Sequence, residues 1–187
     1  MPDSSVLMKP SSGMCNMHCD YCFYCDEMQK REQESYGFMS EETLKNVIRR
    51  TMVHARRQVN YAYQGGEPAL RGLDFFRKAV EFQNKYNRRG IQVHNAFQTN
   101  GYLLDEEWCR FLAENHFLVG LSVDGTKETH DACRHDKKGS GTYDVVTKAA
   151  ALMDAYGVEY NILTVVTEKT AAGIDEIYKA YSRRGWN

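Results

Sequence analysis

The segment Phe117-Leu118-Val119-Gly120-Leu121-Ser122-Val123-Asp124-Gly125 decides the fold class. Its apolar run is short and is stopped by an Asp-Gly turn, which marks a strand rather than a helix. The run is continuous rather than alternating, the pattern of a parallel strand buried on both faces. Outward from it, residues 5–9, 59–64, 91–98 and 158–166 read as four further strands. Each strand leads through a turn or loop into a helical pattern. Ser40 caps a helix expected over 40–57, with Leu44, Val47, Ile48 and Thr51 at helical spacing. Further helices are expected over 72–89, with Leu73, Phe76, Val80 and Phe82 near one face, and over 105–115, capped by Asp105. The last two are expected over 143–156, closed by Gly157, and over 171–184, followed by Gly185. Five consecutive βα units predict an α/β domain with a parallel sheet and helices packed outside it. The basic pairs Arg49-Arg50, Arg56-Arg57, Arg88-Arg89 and Arg183-Arg184 fall near helix ends, and read as solvated charge favoured by the helix dipole.

The chain has 187 residues, enough for one domain. Twenty-four Lys and Arg balance 25 Asp and Glu, for a net charge of −1. That balance argues against a nucleic-acid partner and against an anionic membrane surface. No apolar run approaches the ~20 residues of a membrane span. The start, from Met1 to Pro10, lacks a basic leader with a long apolar core, so a cytoplasmic protein without a signal peptide is expected.

Six cysteines are present: Cys15, Cys19, Cys22, Cys25, Cys109 and Cys133. Without an oxidising compartment, clustered thiols point to metal binding rather than to disulfides. A four-cysteine zinc site uses two separated pairs, whereas Cys15-x3-Cys19-x2-Cys22 has the tandem short gaps that wrap one compact inorganic cluster. Cys25 is a spare thiol in the same loop, Cys109 reads as a small core residue in a helix, and Cys133 has no partner spacing.

Ligands of parallel α/β sheets bind at the C-terminal ends of the strands. The cysteine loop, residues 10–39, follows the first strand, and Gly65-Gly66-Glu67-Pro68 follows the second. Gln98-Thr99-Asn100-Gly101 closes the third, and Ser122 with a loop carrying His130 and Arg134 follows the fourth. Taken singly, the glycine pair and Thr-Asn-Gly are ordinary turns, His130 a packing residue and Arg134 a solvated charge. Their convergence on one face is what points to a site. A [4Fe–4S] cluster needs four ligands, so three cysteines leave one iron open to the amino and carboxylate groups of an amino acid. S-adenosylmethionine (SAM) engages a reducing cluster in this way. Its adenosyl bond then breaks to give a 5′-deoxyadenosyl radical, with the protein orienting and shielding the cofactors.

Cys15-x3-Cys19-x-Tyr21-Cys22 resembles the signature of the radical SAM superfamily. The ordered series Tyr63 to Pro68, Gln98 to Gly101, Ser122 to Gly125 and Glu128-x-His130-Asp131-x-x-Arg134 resembles its peptide-modifying members with a cysteine-rich C-terminal extension, the SPASM group. Cys22-Phe23-Tyr24 and Phe117 to Ser122 are similar to anaerobic sulfatase-maturating enzymes, which oxidise a sulfatase Cys or Ser to Cα-formylglycine. The resemblance implies an open, five-unit portion of a parallel β/α barrel over residues 1–187, C-terminally incomplete and without the SPASM auxiliary-cluster domain. It implies Cys15, Cys19 and Cys22 as ligands of a [4Fe–4S] cluster. Tyr21 would lie on the adenine side of SAM, the Gly66 backbone at its amino group, Ser122 at its ribose or methionyl part, and Arg134 at its carboxylate. Tyr24 would face the substrate, a peptide or a sulfatase, and a reduced donor such as ferredoxin or flavodoxin would supply electrons under anaerobic conditions.

The sequence also departs from the family pattern. Cys25 as a fourth ligand would close the open iron, and Thr126 stands where Pro is common after the Asp-Gly turn. The family barrel has six βα units, and its auxiliary clusters and proton-accepting aspartate belong to a later part with no counterpart among these residues. Two other readings follow: radical modification of a different peptide, or an inactive metal-binding fragment whose unpaired strand edge favours association.

Overall fold

The computed structural model describes residues 4–186. The start read at Met1, Pro2 and Asp3, and the chain end at Asn187, lie outside them. Five parallel strands, β1 (Ser4–Met8), β3 (Gln58–Tyr63), β4 (Gln92–Thr99), β5 (Phe117–Ser122) and β7 (Tyr160–Leu163), form one sheet in the order β1-β3-β4-β5-β7. Each strand pairs with the next one of the sheet in chain order, as in a barrel wall. The wall is open, because β1 and β7 are its two edges. Helices α2 (Glu41–His54), α3 (Leu73–Tyr86), α4 (Glu106–Glu114) and α6 (Tyr143–Tyr156) connect successive strands. Ser40 and Asp105 cap α2 and α4 by accepting the N–H groups of Thr43 and Trp108. Gly157, at φ 68°, ends α6 in the left-handed conformation that favours glycine.

An aromatic core joins the sheet to its helices. Phe76 of α3 meets Phe97 of β4 and Trp108 of α4 edge-on, with ring centroids 5.1 and 5.3 Å apart. Tyr63 packs on Phe76 and Phe117 in the same cluster. Gln83 and Asn95 exchange two buried amide hydrogen bonds of 2.8 and 3.0 Å between α3 and β4, so neither polar side chain is left unpaired.

Several expectations are corrected. β5 is buried on one face only: Phe117, Val119 and Leu121 are fully buried, but Leu118 is 39% exposed. The helices cover the outer face of the sheet, and the inner face carrying Leu118, Gly120 and Leu163 stays open towards the site. The loop over 10–39 holds a short strand, β2 (Met17–Cys19), and a helix, α1 (Phe23–Gln29). The loop before α6 holds α5 (Lys127–Asp131) and β6 (Arg134–Asp136), and β2 and β6 pair antiparallel. The helix expected over 171–184 is two, α7 (Glu168–Ala172) and α8 (Ile174–Arg184), divided at Gly173. Arg89 is not merely solvated charge on its own helix. Its guanidinium donates to the carbonyls of Met52, Val53 and Ala55, and so satisfies the end of the neighbouring helix α2.

Among the described residues no helix is long and apolar enough to cross a membrane.

Candidate functional site

Four segments meet at the C-terminal ends of β1, β3, β4 and β5. They surround a cavity of about 480 Å³ lined by Cys15, Cys19, Cys22, Tyr21, Gly66 and Arg134, with Tyr24, Gln98, Asn100 and Ser122 also on its wall. All eight residues proposed from the sequence as site residues thus face one space.

The cysteine segment is held in shape by its backbone. The Cys22 N–H donates to the Cys19 carbonyl at 2.9 Å, and the Asp20 N–H donates to the Cys133 carbonyl at 3.0 Å. In the β2–β6 ladder Cys19 stands opposite Arg134. The ladder therefore delivers the guanidinium to the thiols, with Arg134 Nη1 4.0 Å from Cys19 Sγ. From the other side Asn100 Nδ2 donates to Cys15 Sγ at 3.5 Å and to Asn16 Oδ1 at 2.9 Å. All three thiols are free and partly buried. Burial pushes the Cys15 thiol up to about 11 and the Cys19 thiol up to about 12. Burial outweighs the nearby Arg134 charge, so these groups stay protonated until a bound metal ionises them.

Gly66 has a reason to be glycine that the sequence did not show. Its φ is +54°, and a Cβ there would press on the Met14 carbonyl and on Gly13. The Glu67 N–H donates to that same Met14 carbonyl at 2.8 Å. The glycine thus lets the β3 loop close directly onto the cysteine loop, while its own backbone lines the cavity.

Glu67 is fully buried and ties the β3 loop to the β4 loop. Its Oε1 accepts the Ala69 N–H and the Thr99 hydroxyl, each at 2.9 Å, and its Oε2 accepts the Asn100 N–H at 2.7 Å. Burial pushes its carboxyl up to about 7 against these three donors. Ser122 Oγ accepts from Gln98 Nε2 at 3.1 Å. Gly120 leaves the space in which the Gln98 side chain lies, since a Cβ there would strike it.

Arg134 is 6% exposed and has a partner that sequence reasoning missed. Its Nε donates to Asp124 Oδ2 at 2.7 Å and its Nη2 to Oδ1 at 3.3 Å, a bidentate buried pair. Asp124 also accepts the Tyr21 hydroxyl and the Val165 N–H. The Arg134 guanidinium lies 5.5 Å from the centre of the Tyr21 ring. Desolvation and the Asp124 carboxylate push the Tyr21 hydroxyl well above its usual value, so it remains a donor. With Nε and Nη2 committed to Asp124, Nη1 is the part of Arg134 turned to the thiols.

His130, read from the sequence as packing or functional, is fully buried and does structural work behind this pair. Its Nδ1 accepts the Asp124 N–H at 3.2 Å, which assigns the ring proton to Nε2. Nε2 then donates to Thr142 Oγ1 at 3.0 Å, and that hydroxyl donates to the Arg134 carbonyl at 3.2 Å. One ring therefore links the main chains of both members of the ion pair. Burial first, and Arg134 second, push the imidazole down to about 4. Asp124, Glu67 and Thr142 were missed as supports because their partners lie 10, 32 and 12 residues away in the chain. For Asp124 and Glu67, their presence inside the sequence motifs was the available signal; Thr142 lies outside them and had none.

The donor set fits a cluster better than a single ion. Among the described residues no group of three or more His, Cys, Asp or Glu is placed to hold one metal ion. Three cysteines lining a cavity that no carboxylate or imidazole lines suit the larger, sulfur-ligated iron–sulfur cubane. The Asn16 amide nitrogen, on the residue next to Cys15, is buried without a hydrogen-bond partner, an orphan donor adjoining one of the three cysteines.

Comparison with known proteins agrees with this geometry. The cysteine-type anaerobic sulfatase-maturating enzyme of Clostridium perfringens is 46% identical over 184 residues, covering 98% of this chain and 50% of that protein. The serine-type anaerobic sulfatase-maturating enzyme of Bacteroides thetaiotaomicron is 38% identical over 167 residues, covering 89% of this chain and 40% of that protein. The solved structure of native anSMEcpe with bound AdoMet and Cp18Cys peptide is 44% identical and superposes with a TM-score of 0.92, covering 99% of this chain and 49% of that one. The chain thus spans about half the length of the relatives it matches. The family model of the radical SAM superfamily matches residues 10–180. Since that match runs from the cysteine loop past the end of β7, and so through every segment that walls the cavity, the chain belongs to the radical SAM superfamily.

Proposed function

We propose that residues 1–187 are the cluster- and SAM-binding part of a radical SAM oxidoreductase that modifies a peptide, in the manner of the sulfatase maturases, with the SPASM part outside them. The observation that carries this reading is the convergence of Cys15, Cys19 and Cys22 with Gly66, Ser122 and Arg134 on one cavity. Cys15, Cys19 and Cys22 hold a [4Fe–4S] cluster and leave one iron for SAM. When bound, the pair supplies a 5′-deoxyadenosyl radical that removes a hydrogen atom from a substrate carbon.

The chain's own residues bind and orient. Gly66 offers backbone to the amino end of SAM, Ser122 a hydroxyl steadied by Gln98, and Arg134 Nη1 a positive charge for the carboxylate. Tyr21, fixed by Asp124, forms the wall for the adenine. Tyr24 stacks with Phe23 at 4.1 Å between ring centroids and lies under Lys9 Nζ at 5.0 Å. Phe23 is 61% exposed, so this aromatic pair sits where an incoming peptide meets the cavity.

The relatives named for cysteine-type and serine-type anaerobic sulfatase maturation support a sulfatase Cys or Ser as the target; a ferredoxin- or flavodoxin-like donor in the cytoplasm is part of the proposal and rests on the resemblance of the cysteine motif. The near-neutral charge supports neither a nucleic-acid nor a membrane partner.

Anaerobic reconstitution of the chain tests the cofactor reading. About four irons and four sulfides per chain are expected, with 5′-deoxyadenosine formed from SAM after reduction. A preparation that takes up only zinc refutes it. Sulfatase-derived Cys and Ser peptides assayed with the longer protein, against unrelated peptides, test the substrate.

A further inference from the structure

Cys25 has no place in the proposed cofactor site, yet it touches that site's third ligand. Its thiol lies next to the Cys22 thiol in the same turn. Cys22 is the residue that caps α1, and Cys25 lies in the first turn, with its N–H donating to the Cys22 carbonyl at 3.1 Å. A turn closed in this way keeps the two Cα atoms within about 7 Å, and disulfides span about 4.4–6.8 Å. The Cys22 side chain makes no capping hydrogen bond that a disulfide would have to break. No residue of α1 is buried, so its first turn can adjust without disturbing the core.

The two residues also line different cavities. Cys22 lines the cavity that holds Cys15, Cys19 and Arg134. Cys25 lines a second cavity behind the loop, with Met14, Met28 and Phe38. A bond between them would draw the Cys22 sulfur out of the cluster site. Cys19 is joined to Cys22 by a like turn, but its strand is held in the β2–β6 ladder, and Cys109 is fully buried in the core.

We propose that Cys22 and Cys25 form a reversible disulfide that locks the protein without its cluster, withholding one of the three ligands until the pair is reduced. This rests on the assignment of Cys22 as a cluster ligand. The oxidant is a low-molecular-weight disulfide. One protein thiolate attacks it, forms a mixed disulfide and expels one small thiol. The second protein thiolate displaces the other small thiol and closes the Cys22–Cys25 bond. Two electrons pass from the cysteine pair to the small disulfide, and the two protein protons leave on the two small thiols.

The test starts from the cluster-free full chain, incubated anaerobically with oxidised glutathione, alkylated and mapped by mass spectrometry. A linked Cys22–Cys25 peptide that dithiothreitol removes is expected. Iron uptake by the oxidised sample should fall at least tenfold below that of the reduced sample. A Cys25→Ser chain given the same oxidant should retain its uptake. The proposal is overturned if mapping shows Cys22 free, or linked to a residue other than Cys25. It is also overturned if the linked wild-type protein loads iron as well as the reduced one. Mapping does not depend on iron, so a reduced wild type that binds no iron would refute the cluster reading while leaving the disulfide itself decided.

Discussion

Replacing His130 by Gln removes a titrating group that bridges Asp124 and, through Thr142, Arg134 by hydrogen bonds. The imidazole is pushed from 6.5 down to about 4, so it is neutral in the fold and gains a proton on unfolding below pH 6.5. Stability from this group is complete above pH 6.5 and is lost as pH falls towards 4. A shift of this size at ~1.4 kcal/mol per unit amounts to about 3 kcal/mol. Gln keeps at most part of the two hydrogen bonds, so at pH 7 the variant should be less stable by ~1–3 kcal/mol. It has no proton to gain, so acidification spares it the wild type's loss. The gap should therefore close, or change sign, near pH 4. Urea unfolding followed by circular dichroism at several pH values measures both proteins. Glu67 titrates with the opposite sign in the same range, so the comparison must be made between variant and wild type at each pH. A gap that stays constant with pH, or widens in acid, would refute the assignment of His130 as a buried neutral bridge.

Glu67→Gln should behave in the opposite sense. A carboxyl raised from 4.5 to about 7 is stabilising when protonated, and that contribution is lost as pH rises through this window, so Gln should gain on the wild type by ~2–3 kcal/mol between pH 5 and 8 in the same unfolding assay. Asp124→Asn leaves the Arg134 guanidinium buried without its counter-charge, and thermal or urea unfolding should show a loss of ~3–5 kcal/mol; a loss under 1 kcal/mol would mean the pair is not buried in solution. Gly66→Ala places a Cβ against the Met14 carbonyl at positive φ, so iron uptake on reconstitution should drop while the circular dichroism spectrum of the sheet and helices persists. Equal iron uptake by that variant would show that the two loops need not close on each other.

Local features were readable from the sequence because their causes are local. Ser40 and Asp105 cap helices through donors three residues ahead, and Gly157 ends α6 through its own backbone preference. The cysteine spacing was readable for the same reason, since eight residues of chain hold all three thiols to one loop. The alternation of strand and helix determined a parallel sheet, and with it the rule that strand ends carry the site.

Everything that crosses the fold was decided by tertiary structure. Arg134 reaches Cys19 across 115 residues because β2 and β6 pair in one particular register. A continuous apolar run in β5 cannot say which face the helices will cover, and the open wall leaves Leu118 facing the site side. Arg89 satisfies a helix that is not its own, and Glu67 reaches the next strand's loop, because packed elements offer their unpaired carbonyls and N–H groups to whichever neighbour stands closest. Spacing along the chain selected the ligands of the site, whereas the register of the sheet and the packing of its ends selected what holds them in place. The first is set by covalent length, and the second exists only once distant strands have paired.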